Sequence, residues 1–519
     1  MLARIVDDRT IQFEQITTPE ELALKRKFSV RSPKARFLDT SDNGAFDGWY
    51  RKYHEHSRTL ARPFLGELRR FCKEAGLPLT IIDDRPPPRY PPPDPSLVTP
   101  DMLPGITLEE YQLRLIRATC RAEVGLLESP TGSGKGEVIA AITKLHDCPT
   151  VIVAEQAVVI DELQTRLQIR EVCSEPGIFM AGKRPNGQMV MIGLIQSLYA
   201  PTVAPQKTKK DTPESYDRKV RSFKTRLKNA RLLRKMIGKC ELLLIDEADR
   251  AVNNQYKNLV RFWYKGRRRY GLSGTFFDPA KPVQNMSLME NLGTVLASVT
   301  RDEVQAKGRI IPIALTALAF GDPKNRHDRT AFDIAAKEQI IENPRFHALI
   351  KRLAERATQN PEHGVVILCE SIPLGEILAS IIDPALKPVF IYGMTSRKAR
   401  KKAIESFQRR ESRVLIGSKI VRRGMDLKGG TETLIVATAG KLWSEFSQMV
   451  GRSVRVNKQR FCQIYDIFHL GNFYLYGHSR LRLRHIVGMD YPAKVVFPWA
   501  TVDAKDFIKS RFRIPKKPK

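Results

Sequence analysis

Val124-Gly-Leu-Leu-Glu128-Ser129-Pro-Thr131-Gly132-Ser133-Gly134-Lys135-Gly136-Glu-Val-Ile-Ala140 is the stretch from which the fold can be read. A short apolar run ends at Glu128. A glycine-rich loop follows, then Lys135 and a segment of helical periodicity. Strand, glycine loop and helix in this order aim backbone N–H groups and a helix N-terminus at a polyphosphate. The Walker pattern is Gly-x4-Gly-Lys-Ser/Thr. Here Ser129 takes the first position and Gly136 the last. The second departure removes the hydroxyl that such loops give to Mg2+.

Outward from this loop, composition bounds the rest. A chain of 519 residues is long enough for about three or four domains. Lys and Arg number 87 against 56 Asp and Glu, an excess of 31 that predicts a polyanionic partner, nucleic acid before an anionic membrane surface. The sequence holds no apolar run of about 18 residues, so no spanning helix is expected. Its N-terminus lacks a hydrophobic signal core. The 7 cysteines are scattered without a Cys-x-x-Cys, which suits a reducing cytoplasm and argues against a disulfide framework or zinc site.

Residues 1–83 alternate short apolar strands with turns and hold one amphipathic helix near Phe64–Ala75, so they are expected to form a small α+β accessory domain. Residues 84–104 are proline-rich and predict an extended, stiff linker. Strand–helix alternation then runs over 105–303, with a basic insertion at 201–240, and again over 304–470. This predicts two tandem α/β lobes built on parallel sheets. An aromatic and basic tail occupies 471–519.

Several segments carry chemistry. Asp246-Glu247-Ala-Asp249 follows the apolar strand Glu241–Ile245 and sets adjacent carboxylates at a strand end. One suits Mg2+, the other an attacking water. Ser273-Gly-Thr275 ends another strand. Gln448-Met-Val-Gly451-Arg452-Ser-Val-Arg455 places two arginines three apart, on one face of a helix. The insertion 201–240 has thirteen Lys/Arg against three acidic residues. Its apolar stripe is expected at Tyr216, Val220, Phe223, Leu227 and Leu232, with Lys224 and Arg231 toward phosphates. Further basic clusters are Lys265-Gly-Arg267-Arg268-Arg269, Arg397–Lys402, and Arg480, Arg482 and Arg484. Tyr474 and Tyr476 offer rings for base stacking, at a spacing more usual in a core. His146-Asp147 and His327-Asp328 read as structural, and no nuclease metal site is apparent.

Taken as an ordered series, these segments resemble helicase superfamily 2. Leu108-Glu-Glu-Tyr111-Gln112 is similar to the upstream glutamine motif, Ser129–Gly136 to motif I, and Val151–Gln156 to motif Ia. Ile192–Ser197 is similar to Ib, Asp246–Asp249 to motif II and Ser273–Thr275 to motif III. Leu368-Cys-Glu-Ser371 resembles motif IV. Ile391–Thr395 is the next landmark, Ile416-Gly-Ser418 through Gly424-Met-Asp426 resembles motif V, and Gln448–Arg455 matches Gln-x-x-Gly-Arg-x-x-Arg of motif VI. Within the superfamily the likeness is to the UvsW-type phage DNA helicases. Their small N-terminal domain is echoed in Phe28-Ser-Val, Arg36-Phe37, Gly44–Gly48, Pro63–Gly66 and Arg69–Cys72.

The resemblance implies RecA-like lobes, ATP and Mg2+ as cofactors, and a nucleic-acid-stimulated ATPase acting on forks and Holliday junctions by unwinding, annealing and branch migration. It implies adenine contact by Gln112. A phosphate cradle of Thr131, Gly132, Ser133, Gly134, Lys135 and Gly136 follows, with Mg2+ on Asp246 and Glu247 as base. Gln448, Arg452 and Arg455 would act from the second lobe, Arg455 as an arginine finger, beside Gly424 and Asp426. Nucleic acid is expected on Gln196, Ser197, Ser371, Thr395 and Ser418 together with Lys224, Arg231, Arg267 and Arg268. The partner expected is branched or forked DNA, with replication or recombination proteins and a monomeric chain. Two alternatives stay open: an RNA-remodelling ATPase, and a DNA-binding scaffold with a degenerate ATP site. Thr131, Ser133 or water are the candidates to replace the hydroxyl missing at Gly136.

Overall fold

The computed structural model describes residues 1–32, 47–180, 183, 185–198, 204–208, 212–263, 266–278, 281–309, 313–417, 431–440, 462–488 and 491–517. Contacts divide the chain into two compact units, Met1–Arg301 and Asp302–Lys519.

The first unit is centred on a seven-stranded parallel sheet. Its order is Val295–Ser298, Val124–Glu128, Arg268–Ser273, Leu242–Asp246, Thr150–Ala154, Val190–Leu194 and Gly177–Phe179. Helices cover a parallel sheet on both faces, so its strands read as unbroken apolar runs rather than alternating ones. Leu242–Asp246 and Thr150–Ala154 are buried at every position. The outer strands Gly177–Phe179 and Val295–Ser298 were not anticipated; they are short, and the second is only partly buried, so neither stands out as an apolar run.

At the N-terminus a four-stranded sheet, ordered Thr59–Ala61, Thr10–Gln15, Leu2–Ile5 and Thr80–Asp83, carries two helices, Thr18–Lys27 and Leu65–Glu74. The first helix escapes a reading by periodicity because only Leu24 is buried. A capping box starts it instead. Thr17 Oγ1 accepts from the Glu20 amide and Glu20 Oε2 accepts from the Thr17 amide, a device worth about 1 kcal/mol. This sheet does not float. Its core shares Met286 with the helix Pro282–Leu292, and Lys52 pairs with Glu290 at 2.5 Å.

The proline-rich segment, expected to be an extended, stiff linker, lies along the same unit. A polyproline-like backbone makes no internal hydrogen bonds, so its carbonyls are open to side-chain donors. Arg267 donates to the Pro86 carbonyl at 2.9 Å, Arg268 to Tyr90 at 2.6 Å, Lys144 to Met102 at 2.9 Å and Arg170 to Pro104 at 2.8 Å. Val98 and Leu103 are buried beneath it.

The second unit holds an eight-stranded sheet, ordered Val389–Ile391, Val414–Gly417, Val365–Cys369, Thr433–Ala437, Cys462–His469, Ile313–Phe320, Ala493–Phe497 and Ala500–Asp503. All its pairings are parallel except the last. Both units are thus α/β lobes on parallel sheets. The segment 471–519, set apart in the sequence as a basic tail, supplies this sheet with two strands and the helix Phe473–Gly488. Some of its arginines are accordingly structural. Arg482 is buried against Asp466 at 3.0 Å and also donates to the carbonyls of Gly440 and Ile467. Arg480 and Arg484 lie over the Phe512 ring. Tyr476 packs on Phe468 and donates to the Phe512 carbonyl, while Tyr474 remains exposed.

Candidate nucleotide site at the edge of the first sheet

Three strand ends build the site. Val124–Glu128, Arg268–Ser273 and Leu242–Asp246 are neighbours and parallel, so all three terminate at the same sheet edge. Ligands of open α/β sheets bind outside such carboxyl ends. The edge gathers the glycine loop, the Ser273–Thr275 turn and the four residues Asp246–Asp249.

Hydrogen bonds tie them into a chain. The Ser129 amide donates to the Ser273 carbonyl at 2.8 Å, and Ser273 Oγ donates to Asp249 Oδ1 at 2.8 Å. The loop is thereby joined to the acidic turn through the strand between them. Burial pushes the Asp249 carboxyl up to about 6, and the charge of neighbouring Glu247 pushes the same way. Asp246 is buried at the strand end. Glu247 sits at φ 51° and ψ 47°, a left-handed conformation uncommon for a residue other than glycine. Such strain is characteristic of sites where a side chain must be aimed. On the same edge Arg250 pairs with Glu155 at 2.6 Å, and Gln196 donates to the Glu155 carbonyl at 3.3 Å.

The loop has the geometry of an anion cradle. Gly132 and Gly134 adopt φ of 91° and 86°, and Gly134 starts the helix Lys135–His146. Lys135 Nζ, at 3.3 Å from the Ser129 carbonyl, lies over the loop. Ser133 is turned inward onto Ser129 Oγ and the Pro130 carbonyl, so its hydroxyl is engaged within the loop. Gln112 is tied to the same loop. Its Oε1 accepts from the Glu109 amide at 2.9 Å and its Nε2 donates to the Ser133 carbonyl at 2.9 Å. The buried amide braces the loop with both ends engaged.

The other expected contacts divide sharply. Lys224 and Arg231 are exposed on the helix Pro213–Ile237. That helix is anchored by Ala230, Leu233 and Ile237, whereas Leu232, placed on the apolar stripe from sequence, is exposed. Arg267 and Arg268 are withdrawn from the surface into the proline-segment seam. Gln196 is exposed and Ser197 half-buried. Ser371 caps the helix Ile372–Ile381 by accepting from the Leu374 amide, and Thr395 Oγ1 accepts from the Tyr392 amide, so both hydroxyls serve local turns. Ser418, Gly424, Asp426, Gln448, Arg452 and Arg455 lie outside the described residues. Among the described residues no group of three or more His, Cys, Asp or Glu could hold a metal, and no helix is long and apolar enough to cross a membrane. His146 is buried with Nε2 on Thr119 Oγ1.

The chain matches two family models. Residues 105–278 match the Type III restriction enzyme res subunit, and residues 345–457 match the helicase conserved C-terminal domain. It is 20% identical over 224 residues to a mitochondrial ATP-dependent RNA helicase, MSS116, of Candida glabrata. It is 23% identical over 224 residues to a pre-mRNA-splicing ATP-dependent RNA helicase, PRP28, of Lodderomyces elongisporus. Each match covers 42% of this chain and about a third of the relative, 31% and 36%. Among solved structures, UvsW of phage T4 is similar over 96% of this chain and 99% of its own, at 14% identity and a TM-score of 0.43. Dbp5 of S. cerevisiae, bound to RNA and ADP BeF3, is similar over 78% and 92%, at 13% identity and a TM-score of 0.47. A res-subunit domain followed by a helicase C-terminal domain, on two parallel-sheet lobes, places the chain in helicase superfamily 2.

Proposed function

We propose that the chain is an ATP-dependent DNA helicase or translocase that remodels branched DNA, forks and Holliday junctions, in phage recombination, repair or replication. The observation that carries the ATPase half is the hydrogen-bonded run from Ser129 through Ser273 to Asp249, which joins a phosphate cradle to an acidic turn on one sheet edge. Lys135 and the amides of Gly132–Lys135 fit the polyphosphate, and Asp246 fits Mg2+. Bound Mg2+-ATP brings the phosphoryl group and a cation that neutralises its oxygens. Glu247 is assigned the attacking water, to orient and deprotonate it. Arg452 and Arg455 are assigned to the developing charge on the motif resemblance, a role worth roughly 10^3–10^5 in rate.

The DNA half rests on the UvsW-type motif series, on the excess of 31 positive charges, and on the exposed basic helix Pro213–Ile237. The RNA reading keeps two observations in its favour: the literal Asp-Glu-Ala-Asp at 246–249, and relatives named RNA helicases.

The test has two stages. Lys135→Ala and Glu247→Gln are expected to abolish nucleic-acid-stimulated ATP hydrolysis while leaving the thermal unfolding transition in place. Normal turnover in both overturns the site. Hydrolysis and unwinding are then compared on single strands, forks, four-way junctions and RNA. Stimulation by forks and junctions over RNA is expected; the reverse order favours the RNA reading, and no hydrolysis with intact DNA binding favours the scaffold.

A further inference from the structure

Gly136 is where the loop departs from the Walker pattern, and the structure shows what fills the gap. A Cβ built on Gly136 would lie 1.7 Å from Nη1 of Arg166, 2.8 Å from its Cζ and 3.3 Å from its Cδ. The guanidinium therefore occupies the volume in which a serine or threonine side chain would begin. A side chain at 136 would displace the guanidinium from this position.

Arg166 is brought there from outside the loop. It lies on the helix Ala157–Ile169, one turn from its C-terminus. Its Nε is 3.2 Å from Glu137 Oε1, directly after Gly136. Glu137 is itself gripped by Arg170, whose Nε lies 2.9 Å from Oε2 and whose Nη2 lies 3.2 Å from Oε1. Arg170 is held in turn by the Pro104 carbonyl. The result is a cation set at the first turn of the loop helix, with the Glu137 charge balanced by two arginines. Its Nη1 end is directed at Gly136 and its side chain is 30% exposed. A guanidinium stays protonated, and its planar fork matches phosphate oxygens. The helix N-terminus favours an anion at the same spot.

We propose that Arg166 is a nucleotide-site residue whose guanidinium takes the place of the Walker hydroxyl, meeting the polyphosphate directly. This inference rests on the ATP-site reading above. A hydroxyl at this position would act through the divalent cation; a guanidinium acts on phosphate by itself. Nucleotide affinity should therefore depend less on Mg2+ than a hydroxyl-bearing loop allows, and Asp246 with water should carry the metal.

Equilibrium binding of a fluorescent methylanthraniloyl-ATP to the full chain, in Mg2+ and in EDTA, tests this. Wild type is expected to retain binding in EDTA. Arg166→Ala should weaken binding in EDTA by about tenfold or more, the scale of one charged hydrogen bond, with a smaller loss in Mg2+. Gly136→Ser alone should weaken binding in both, because it evicts the guanidinium. Gly136→Ser with Arg166→Ala should recover binding in Mg2+ but not in EDTA. Arg166→Lys keeps the charge beside Glu137, so the fold is preserved even if the alanine variant melts; its EDTA affinity should fall between wild type and Arg166→Ala. If Arg166→Ala and Arg166→Lys leave the ratio of the two affinities at the wild-type value, and change only the melting temperature, Arg166 is a helix-to-helix strut and the proposal is overturned. If wild type binds no nucleotide in Mg2+, the ATP-site reading falls, and this inference with it.

Discussion

Two basic regions of the first unit have opposite fates. The helix Pro213–Ile237 carries its cations outward and buries only Ala230, Leu233 and Ile237 near its C-terminal end. Arg267, Arg268 and Arg269, a run of three at the start of a central strand, are almost wholly enclosed. There Arg267 pairs with Glu123 at 2.7 Å, beside Arg62 and Arg85, which reach the same carboxylate. Arg269 lies with its guanidinium over the Trp263 ring. The difference shows that a basic run is a footprint of nucleic acid only where its periodicity leaves it on one face of a helix. In a strand between two others, cations are enclosed and must be matched by carboxylates and backbone carbonyls. The proline-rich segment supplies the carbonyls.

The contrast breaks most easily at Glu123. Arg62, Arg85 and Arg267 all converge on it, so Glu123→Ala removes their shared carboxylate and leaves Asp8 and Asp83 to hold all three. Losing a charged hydrogen-bond partner costs about 1–3 kcal/mol, and a fall of that size in denaturant unfolding is expected. A loss under about 0.5 kcal/mol would show the seam to be solvated like the helix.

A smaller, pH-dependent effect sharpens the same contrast. Burial pushes the Glu241 carboxyl up to about 7, opposed by nearby Arg268. The folded state thus binds a proton that the unfolded chain has already released. Stability from this group is complete below the ordinary glutamate pKa of 4.5, falls as pH rises toward about 7, and then levels. In Glu241→Gln that decline should be absent, so its melting temperature gains on wild type between pH 4.5 and 7. Parallel melting curves across that window would contradict the enclosure of Glu241.

The smallest change in stability is expected on the exposed helix. Lys224→Ala with Arg231→Ala should shift stability by no more than about 0.5 kcal/mol. It should nevertheless weaken DNA binding, and the slope of log affinity against log salt should drop by about 0.7–0.9 for each phosphate no longer neutralised. An unchanged slope would place the DNA path elsewhere.

Much of this architecture is legible in the chain alone. Apolar runs such as Leu242–Asp246 mark strands because both faces of a parallel sheet are covered. The glycine loop, the acidic turn and Ser273–Thr275 announce themselves because each is local in sequence. What escaped was non-local. The strand at 493–497 read as part of a tail because its partner, Ile313–Phe320, is far away in sequence, and the strand at 500–503 joins the sheet only by pairing with it. The brace from Gln112 to the glycine loop is likewise hidden, because its partner Ser133 is 21 residues distant.

By itself the sequence determined two parallel-sheet lobes, the order of the motifs and a strong positive charge, since periodicity, loop chemistry and net charge are properties of neighbouring residues. Tertiary structure alone decided which arginines meet solvent and which meet carbonyls. It also decided that Arg166, thirty residues along the chain and with no local signature, stands in the space left open at Gly136. Close packing admits one side chain at that point, and only the folded chain brings the two residues together.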